Sequence, residues 1–556
     1  MRFSTRDGAV PRRGGSRARG PLLVVAAVAL TGGCQAVGPD YQTPDAQVNP
    51  AWLALQPEAE AGKAAPAAAP DQAWWESFSD PTLSALVKAA YEQNLTLRAA
   101  GLRVIEARAR RGIAVGNFFP QVQEAFGGVN SNRLSANGPV PPGDKTFQDD
   151  NLGLHAAWEL DFWGKFRRGI ESADASVLAS VADYDAVLVT LVSDVATNYI
   201  LLRATEEQLA YARENVTVQQ DTLSLTDTRF KAGAVSELDV TTARSTLANT
   251  QALIPRYEDD LRQTKLALCV LLGRTPSELD QELAPTAGAE RHVPTSPMRI
   301  AAGIPADLLR RRPDVRSLER VAAAQSARIG EAKADLYPRI SVTGSTGFVS
   351  SNVDDSRHAH LGDIADSDSF QGFIGLAVNW PILNYGRIEN NVRVQDALYE
   401  ESVAAYRQSV LAAAADVEGG LSTFLRSRER AAFLKESVDA TQRSVDLSLI
   451  QYKTGAVDFI RVNTAQSQLV DQQIQFVSAQ AAVALGAVRT FRALGGGWQL
   501  RANEEFVDKD TANRMTQRTN WGDVLDADWK SGKDLGFERP RAEDQTREMQ
   551  DQQPAK

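Results

Sequence analysis

Residues 230–247 read FKAGAVSELDVTTARSTL and residues 452–469 read YKTGAVDFIRVNTAQSQL. At an offset of 222, nine of these 18 positions are identical, among them Gly233/Gly455, Val240/Val462 and Ala243/Ala465. Working outward, WELDFWGK (158–165) aligns with WPILNYGR (380–387) at the same offset. Further upstream, ARRGIAVGNFFP (109–120) aligns with ARIGEAKADLYP (327–338) at an offset of 218. Landmarks kept in this order mark an internal duplication, and two copies are too few for a solenoid array. The fold of one copy is therefore present twice.

Within a copy the hydrophobic period switches. Leu152, Leu154, Ala156, Trp158, Leu160 and Phe162 alternate with Asn151, Gly153, His155, Ala157, Glu159 and Asp161. Ile374, Leu376, Val378, Trp380 and Ile382 alternate in the second copy, as do Ile340, Val342, Gly344, Thr346 and Phe348. Period two with one apolar face predicts strands. The segment after Pro120 alternates poorly and is assigned as a strand from its partner copy. Each copy thus gives two strands joined by a polar loop, around 131–149 and 350–369. After Gly164 the apolar residues recur at three, four or seven: Ile170, Val177, Val181, Tyr184, Leu188, Leu191, Val195, Tyr199 and Leu202. The same register holds in the second copy from Val392 to Phe424. This narrow seam predicts coiled-coil helices. The first spans the 68 residues from Gly164 to Lys231, ~100 Å at 1.5 Å per residue. Gly233 and Gly455 end these helices. Second helices over 236–272 and 458–494 return antiparallel, giving two long hairpins. The fold class is mainly α with a smaller β portion, internally duplicated.

The 556 residues are 43% hydrophobic and 23% charged, the balance of a folded protein. Four His, two Cys and four Met argue against a multi-ligand metal centre. His358 and His360 read as solvated loop residues. No phosphate-cradling Gly loop or nucleophile–base pair stands out, so no enzyme activity and no cofactor is expected. Net charge is −10, and residues 1–33 carry six Arg and one Asp, so the chain from Cys34 onward carries −15. Such an acidic chain does not read as a nucleic-acid binder.

The N-terminus reads as an address. Six Arg within residues 1–20 precede PLLVVAAVAL (21–30) and TGGC (31–34). Ten apolar residues are too few to span a bilayer, which takes ~20; the pattern is a secretory signal. The small residues before Cys34 resemble the lipobox of bacterial lipoproteins, with Thr31 where Leu is usual. That resemblance implies S-diacylglycerol and N-acyl lipid on Cys34, and Gln35, not Asp, implies sorting to the outer membrane. Cys269 then has no partner, and no disulfide is expected.

Four strands with an apolar face in an exported lipoprotein predict a transmembrane barrel, which must close because an open edge is unpaired in hydrocarbon. The smallest barrels have about eight strands, so several chains must contribute. A dimer would bring eight and a trimer twelve, and the arithmetic does not choose. The helices, too long for a bilayer and too polar to cross one, are expected to project into the periplasm.

Four motifs carry a family resemblance: CQAVGPDYQTP (34–44), WWESFSDPTLSALVKAAYEQN (74–94), GIPADLLRRRPDVRSLER (303–320) and LGGGW (494–498). Together they resemble the TolC-like outer-membrane efflux proteins, in particular the NodT-type lipoprotein branch. The resemblance covers roughly 34–498. It implies a homotrimer with a 12-stranded barrel and a helical tunnel. It also implies docking to a periplasmic adaptor and an inner-membrane pump of the RND type, for efflux of small toxic compounds. A protein-secretion duct and a non-conducting spacer are the alternatives, and the lipobox favours efflux over secretion. The expected domains are 1–33 (signal), 34–81 (anchor and linker), 82–290 and 291–500 (the repeats) and 501–556 (a polar, disordered tail).

By the same resemblance the turns at Gly233 and Gly455 form the periplasmic tip, where the tunnel narrows and the adaptor docks. Asp239 matches an acidic position there, Tyr452 matches a tyrosine, and the positions that carry aspartate rings in one relative are Arg461 and Thr464. Asp239 and Arg461 occupy equivalent repeat positions with opposite charge. They are expected, with Tyr452, to hold neighbouring hairpins closed. RRRPD (310–314) reads as a helix start, with Pro313 in the first turn and Asp314 at the positive end. Trp158 and Trp163 read as an interfacial belt, and Trp74 and Trp75 as packing residues.

Overall fold

The computed structural model describes residues 36–55, 73–135, 137–138, 146–277, 279–284, 292–296, 311–352, 363–501, 505–526 and 529. Cys34, Arg310, His358 and His360 lie outside them. Contacts divide the chain into two compact units, one built from 1–40, 115–169 and 327–395, the other from 41–114, 170–326 and 396 onward.

The first unit holds an antiparallel sheet in the order β1 (Val122–Arg133), β2 (Thr146–Leu160), β3 (Arg339–Ser351), β4 (Phe370–Asn379). Its register places Ala125 opposite Leu154, Leu154 opposite Thr346 and Leu152 opposite Phe348, which in turn faces Phe370. Residues opposite one another share a face. One face therefore collects Leu152, Leu154, Trp158, Val342, Ile374 and Leu376, and the other collects Glu124, Asn151, His155, Ser341, Thr343 and Ser345. The strands overrun the expected loops, β1 reaching Arg133 and β2 starting at Thr146. Polar rungs extend the ladder: Asn132 Nδ2 donates to Asp149 Oδ2 at 2.6 Å, and Ser351 Oγ to Asp149 Oδ1 at 2.7 Å. At the opposite edge, the duplication is visible in the indoles. Trp158 Nε1 donates to the Phe118 carbonyl and Trp380 Nε1 to that of Leu336, both at 3.1 Å.

Among the described residues the helices in chain order are α1 (Pro81–Gln93), α2 (Leu95–Gly116), α3 (Lys165–Lys231), α4 (Glu237–Gln251), α5 (Leu253–Leu271), α6 (Pro313–Ala334), α7 (Arg387–Thr454), α8 (Phe459–Ala493) and α9 (Lys509–Arg518). The predicted seam is buried: Tyr184, Leu188, Leu191, Val195, Tyr199 and Leu202 on α3, and Tyr406, Val410, Val417, Leu421 and Phe424 on α7. α3 and α8 each contain an 18-residue stretch apolar enough to cross a bilayer, about half of it buried. The expectation that the helices are too polar to cross one is corrected in composition, with about half of each stretch serving as core. Trp74 is fully buried and stacks on Phe491 at 5.3 Å. Asp80 caps α1, accepting from the Thr82 and Leu83 amides, and takes the Tyr199 hydroxyl on its other oxygen at 2.7 Å.

Two further elements differ from the sequence reading. The return helix predicted over 236–272 is broken at Ala252 into α4 and α5. Pro255 has no N–H for the Gln251 carbonyl, and its ring crowds that carbonyl. The second copy has Val477 at this position, and α8 runs through unbroken. The start of the 501–556 tail is also folded. Phe506, Val507, Met515 and Trp521 pack with Leu102 and Ile105 of α2, and Arg108 donates to the carbonyls of Val524 and Asp526 at 3.0 Å. Trp529 lies under the Arg108 guanidinium at 4.8 Å. The tail's apolar residues are too sparse to give a period, yet Phe506, Val507, Met515 and Trp521 join one cluster with α2.

The arginine motif is structural. Pro313 is the first residue of α6, and Arg312 donates to both Asp314 carboxylate oxygens and to the Ala493 carbonyl. Burial pushes the Asp314 carboxyl up, but Arg312 and the backbone amides at the helix start together outweigh this and hold it below the usual range. At Asp185 the balance reverses: burial raises its pKa and Arg501, at 2.9 Å, compensates only in part.

Candidate functional site

The hairpin turns are closed by backbone geometry. At Gly233 (φ +72°) the amide donates to the Phe230 carbonyl and the Ala234 amide to that of Arg229. At Gly455 (φ +79°) the amide donates to Tyr452 and the Ala456 amide to Gln451. These paired bonds are a Schellman closure, and its left-handed residue is the reason for glycine at both places. α4 then starts with a capping box in which Asp239 Oδ2 accepts from the Ser236 amide and hydroxyl, both at 3.1 Å. Asp458 begins α8 with no side-chain cap.

The structure brings only one of the three expected gate residues into the joint. Asp239 is engaged by its own helix start, and Arg461 is exposed. Among the described residues of one chain they form no ion pair. Tyr452 is 1% exposed and lies between the hairpins. Its ring meets Phe459 edge-on at 5.7 Å, and its hydroxyl lies 3.5 Å from Thr226 Oγ1. Arg229 of α3 is the residue the sequence reading missed. Its guanidinium sits 4.5 Å above the Tyr452 ring, and Nη1 donates to the Tyr452 carbonyl, one of the last acceptors of α7. Gln451 holds the equivalent place in the second copy, so repeat comparison alone gives no signal.

Above this joint the α3 seam turns polar. Asn215, Gln219, Thr222 and Thr226 continue the three–four spacing and are buried. Asn215 Nδ2 donates to Gln473 Oε1 at 2.6 Å, and Gln466 Nε2 to Thr222 Oγ1 at 2.8 Å. Gln219 is buried with both amide atoms unpartnered. Thr246 adds a bond from α4 to Asn463 of α8 at 2.6 Å. Buried polar groups hold through hydrogen bonds that water can replace, so this contact is separable in a way a leucine seam is not.

In the sheet unit the polarity is inverted relative to a water-soluble sheet. The apolar face is open and not packed on a core: Ile374 is 83% and Leu154 58% exposed. The polar face carries Glu124 and His155 directly opposite one another at 3.5 Å. Four strands with hydrocarbon outward, carried on a chain with two helical hairpins, define a protomer of an outer-membrane channel.

Comparison with known proteins narrows the class. Residues 86–274 and 304–496 match the family described as Outer membrane efflux protein, and the chain belongs to that family. It is 32% identical over 436 residues to the pyoverdine export outer membrane protein OpmQ of Pseudomonas putida, covering 78% of this chain and 89% of that one. It is 30% identical to Nodulation protein T of Rhizobium leguminosarum over 462 residues, 83% and 90% of the two chains. The solved structure of the outer-membrane channel OprN superposes with a TM-score of 0.75 at 31% identity, covering 83% of this chain and 99% of that one. The protein is a TolC-like, NodT-type efflux channel of the outer membrane.

Proposed function

We propose that the chain is the exit duct of a tripartite efflux system, working as a homotrimer whose twelve strands close one barrel. The observation that carries this reading is the sheet: it offers hydrocarbon outward, yet four strands leave two open edges that lipid does not tolerate. Lipid on Cys34 anchors the chain to the inner face of the outer membrane. The turns at Gly233 and Gly455 meet a periplasmic adaptor, and an inner-membrane pump of the RND type supplies the energy. The duct carries small toxic compounds.

The tip is the gate. Tyr452 and Arg229 join the two hairpins of one chain, while Asp239 and Arg461 face neighbouring copies and pair across them in the closed state. Adaptor contact shifts the closed–open balance. The purified protein is expected to run in detergent as a trimer by light scattering and to conduct in planar bilayers. A monomer without conductance would remove the duct. Asp239→Asn keeps a capping oxygen and loses the charge, so it and Arg461→Ala are each expected to raise conductance. Unchanged conductance in both would remove the latch between copies.

A further inference from the structure

We infer that Arg168 seats the lipid-bearing N-terminus against the sheet unit, so that the acyl chains on Cys34 enter the bilayer beside Trp163; this rests on the lipidation reading above. The segment Ala36–Asp40 lies in a built groove. Its Val37 amide donates to the Trp163 carbonyl at 3.0 Å. Arg168, whose side chain is 2% exposed, grips it from the other side. Nε donates to the Val37 carbonyl at 3.2 Å, and Nη2 to the Gly38 carbonyl at 3.3 Å and to Asp40 Oδ1 at 2.9 Å. A guanidinium is a rigid fork of five donors. Two of its acceptors here are backbone carbonyls, so it fixes the path of the chain and not merely one side chain.

Glycines make the room. A Cβ on Gly38 (φ +103°) would stand 2.4 Å from Gly330 Cα, and one on Gly330 would stand 2.6 Å from the Val37 carbonyl oxygen. A Cβ on Gly164 would stand 2.3 Å from that of Ala36. Gly112, the repeat counterpart of Gly330, has nothing within 4 Å of such a position. Of this glycine pair only Gly330 of the second copy closes on another segment, and the close approach accounts for a glycine in the interior of α6, where helix propensity disfavours one.

The groove lies at the aromatic edge of the sheet. Trp163 stacks on Tyr337 at 4.6 Å and donates its indole N–H to the Pro338 carbonyl at 2.8 Å. Trp and Tyr are enriched at membrane–water interfaces, where one end of the ring is apolar and the other wet. Cys34 precedes Ala36 by two residues, a reach of at most ~7 Å. A lipid on so short a leash is seated at the sheet's own edge and shares its depth, unlike a lipid on a flexible linker. The partner of this edge is the inner leaflet of the outer membrane.

The test uses the full-length lipoprotein purified in detergent, with Arg168→Met and Gly330→Ala made separately. Gly330→Ala improves the helix propensity of α6, and its Cβ would meet both the Val37 carbonyl and the Arg168 side chain, so it closes the groove from the opposite wall. Both variants are expected to keep the acylated mass of the N-terminal peptide. Exchange of the Val37, Gly38 and Asp40 amides is expected to quicken about tenfold or more, with less assembled oligomer in the outer membrane. Parent-like exchange at 37–40 in both variants would overturn the grip. An unmodified Cys34 in the parent would overturn the seating of lipid, and the exchange result would still report on the groove.

Discussion

Leu154→Arg is expected to eliminate the protein from the outer membrane. Leu154 lies in the middle of β2 on the open apolar face and is more than half exposed. In a water-soluble sheet, an arginine at so exposed a place would cost almost nothing. Facing lipid near the bilayer midplane, it costs about 2–4 kcal/mol in each copy, and every copy in a closed barrel carries it. Thr343→Arg places the same charge on the polar face, opposite Ala157 and Gly375, where water is expected, and should be tolerated. Outer-membrane abundance and heat-resistant oligomer on gels separate the two. Equal abundance of both variants would mean that the apolar face does not meet lipid.

Tyr452→Ala is expected to open the tip while leaving the sheet intact. Emptying a fully buried aromatic site costs about 3–5 kcal/mol. The loss falls on the small cluster of Ala243, Phe459 and Val462 that surrounds it. The substitution also removes the surface on which the Arg229 guanidinium rests. Single-channel conductance should rise and the tip should become sensitive to trypsin. Tyr452→Phe keeps the ring and forfeits only a long 3.5 Å contact with Thr226, so it should remain close to the parent. If Tyr452→Ala conducts as the parent does, the joint between the hairpins is not the gate.

The repeat and the switch from period two to period three–four made most of the architecture legible, because both are written in residues whose side chains point to one face. The buried seam of α3 and α7 and the strand faces follow that register. The break at Ala252 was missed although Pro255 stands in plain view, since a proline can also occupy the first turn of a helix. The folded tail was missed because Phe506, Val507, Met515 and Trp521 dock individually and show no period. At the tip, the glycine turns were legible from the local rule for left-handed residues. Arg229 was not: its role depends on reaching a carbonyl 223 residues away, and its partner copy has glutamine. Asp239 stood out only through the family resemblance, as a gate residue; its capping of α4 is a local task that the structure adds.

The polar run from Asn215 to Thr226 has a thermal consequence. Parting two leucine-lined helices wets hydrocarbon, raises heat capacity and makes the equilibrium bend with temperature. Parting this seam wets amides and hydroxyls, whose hydration changes heat capacity in the opposite sense and by less. The closed–open equilibrium of the tip should then bend less with temperature than that of a joint lined by leucine alone, its slope still set by the enthalpy of opening.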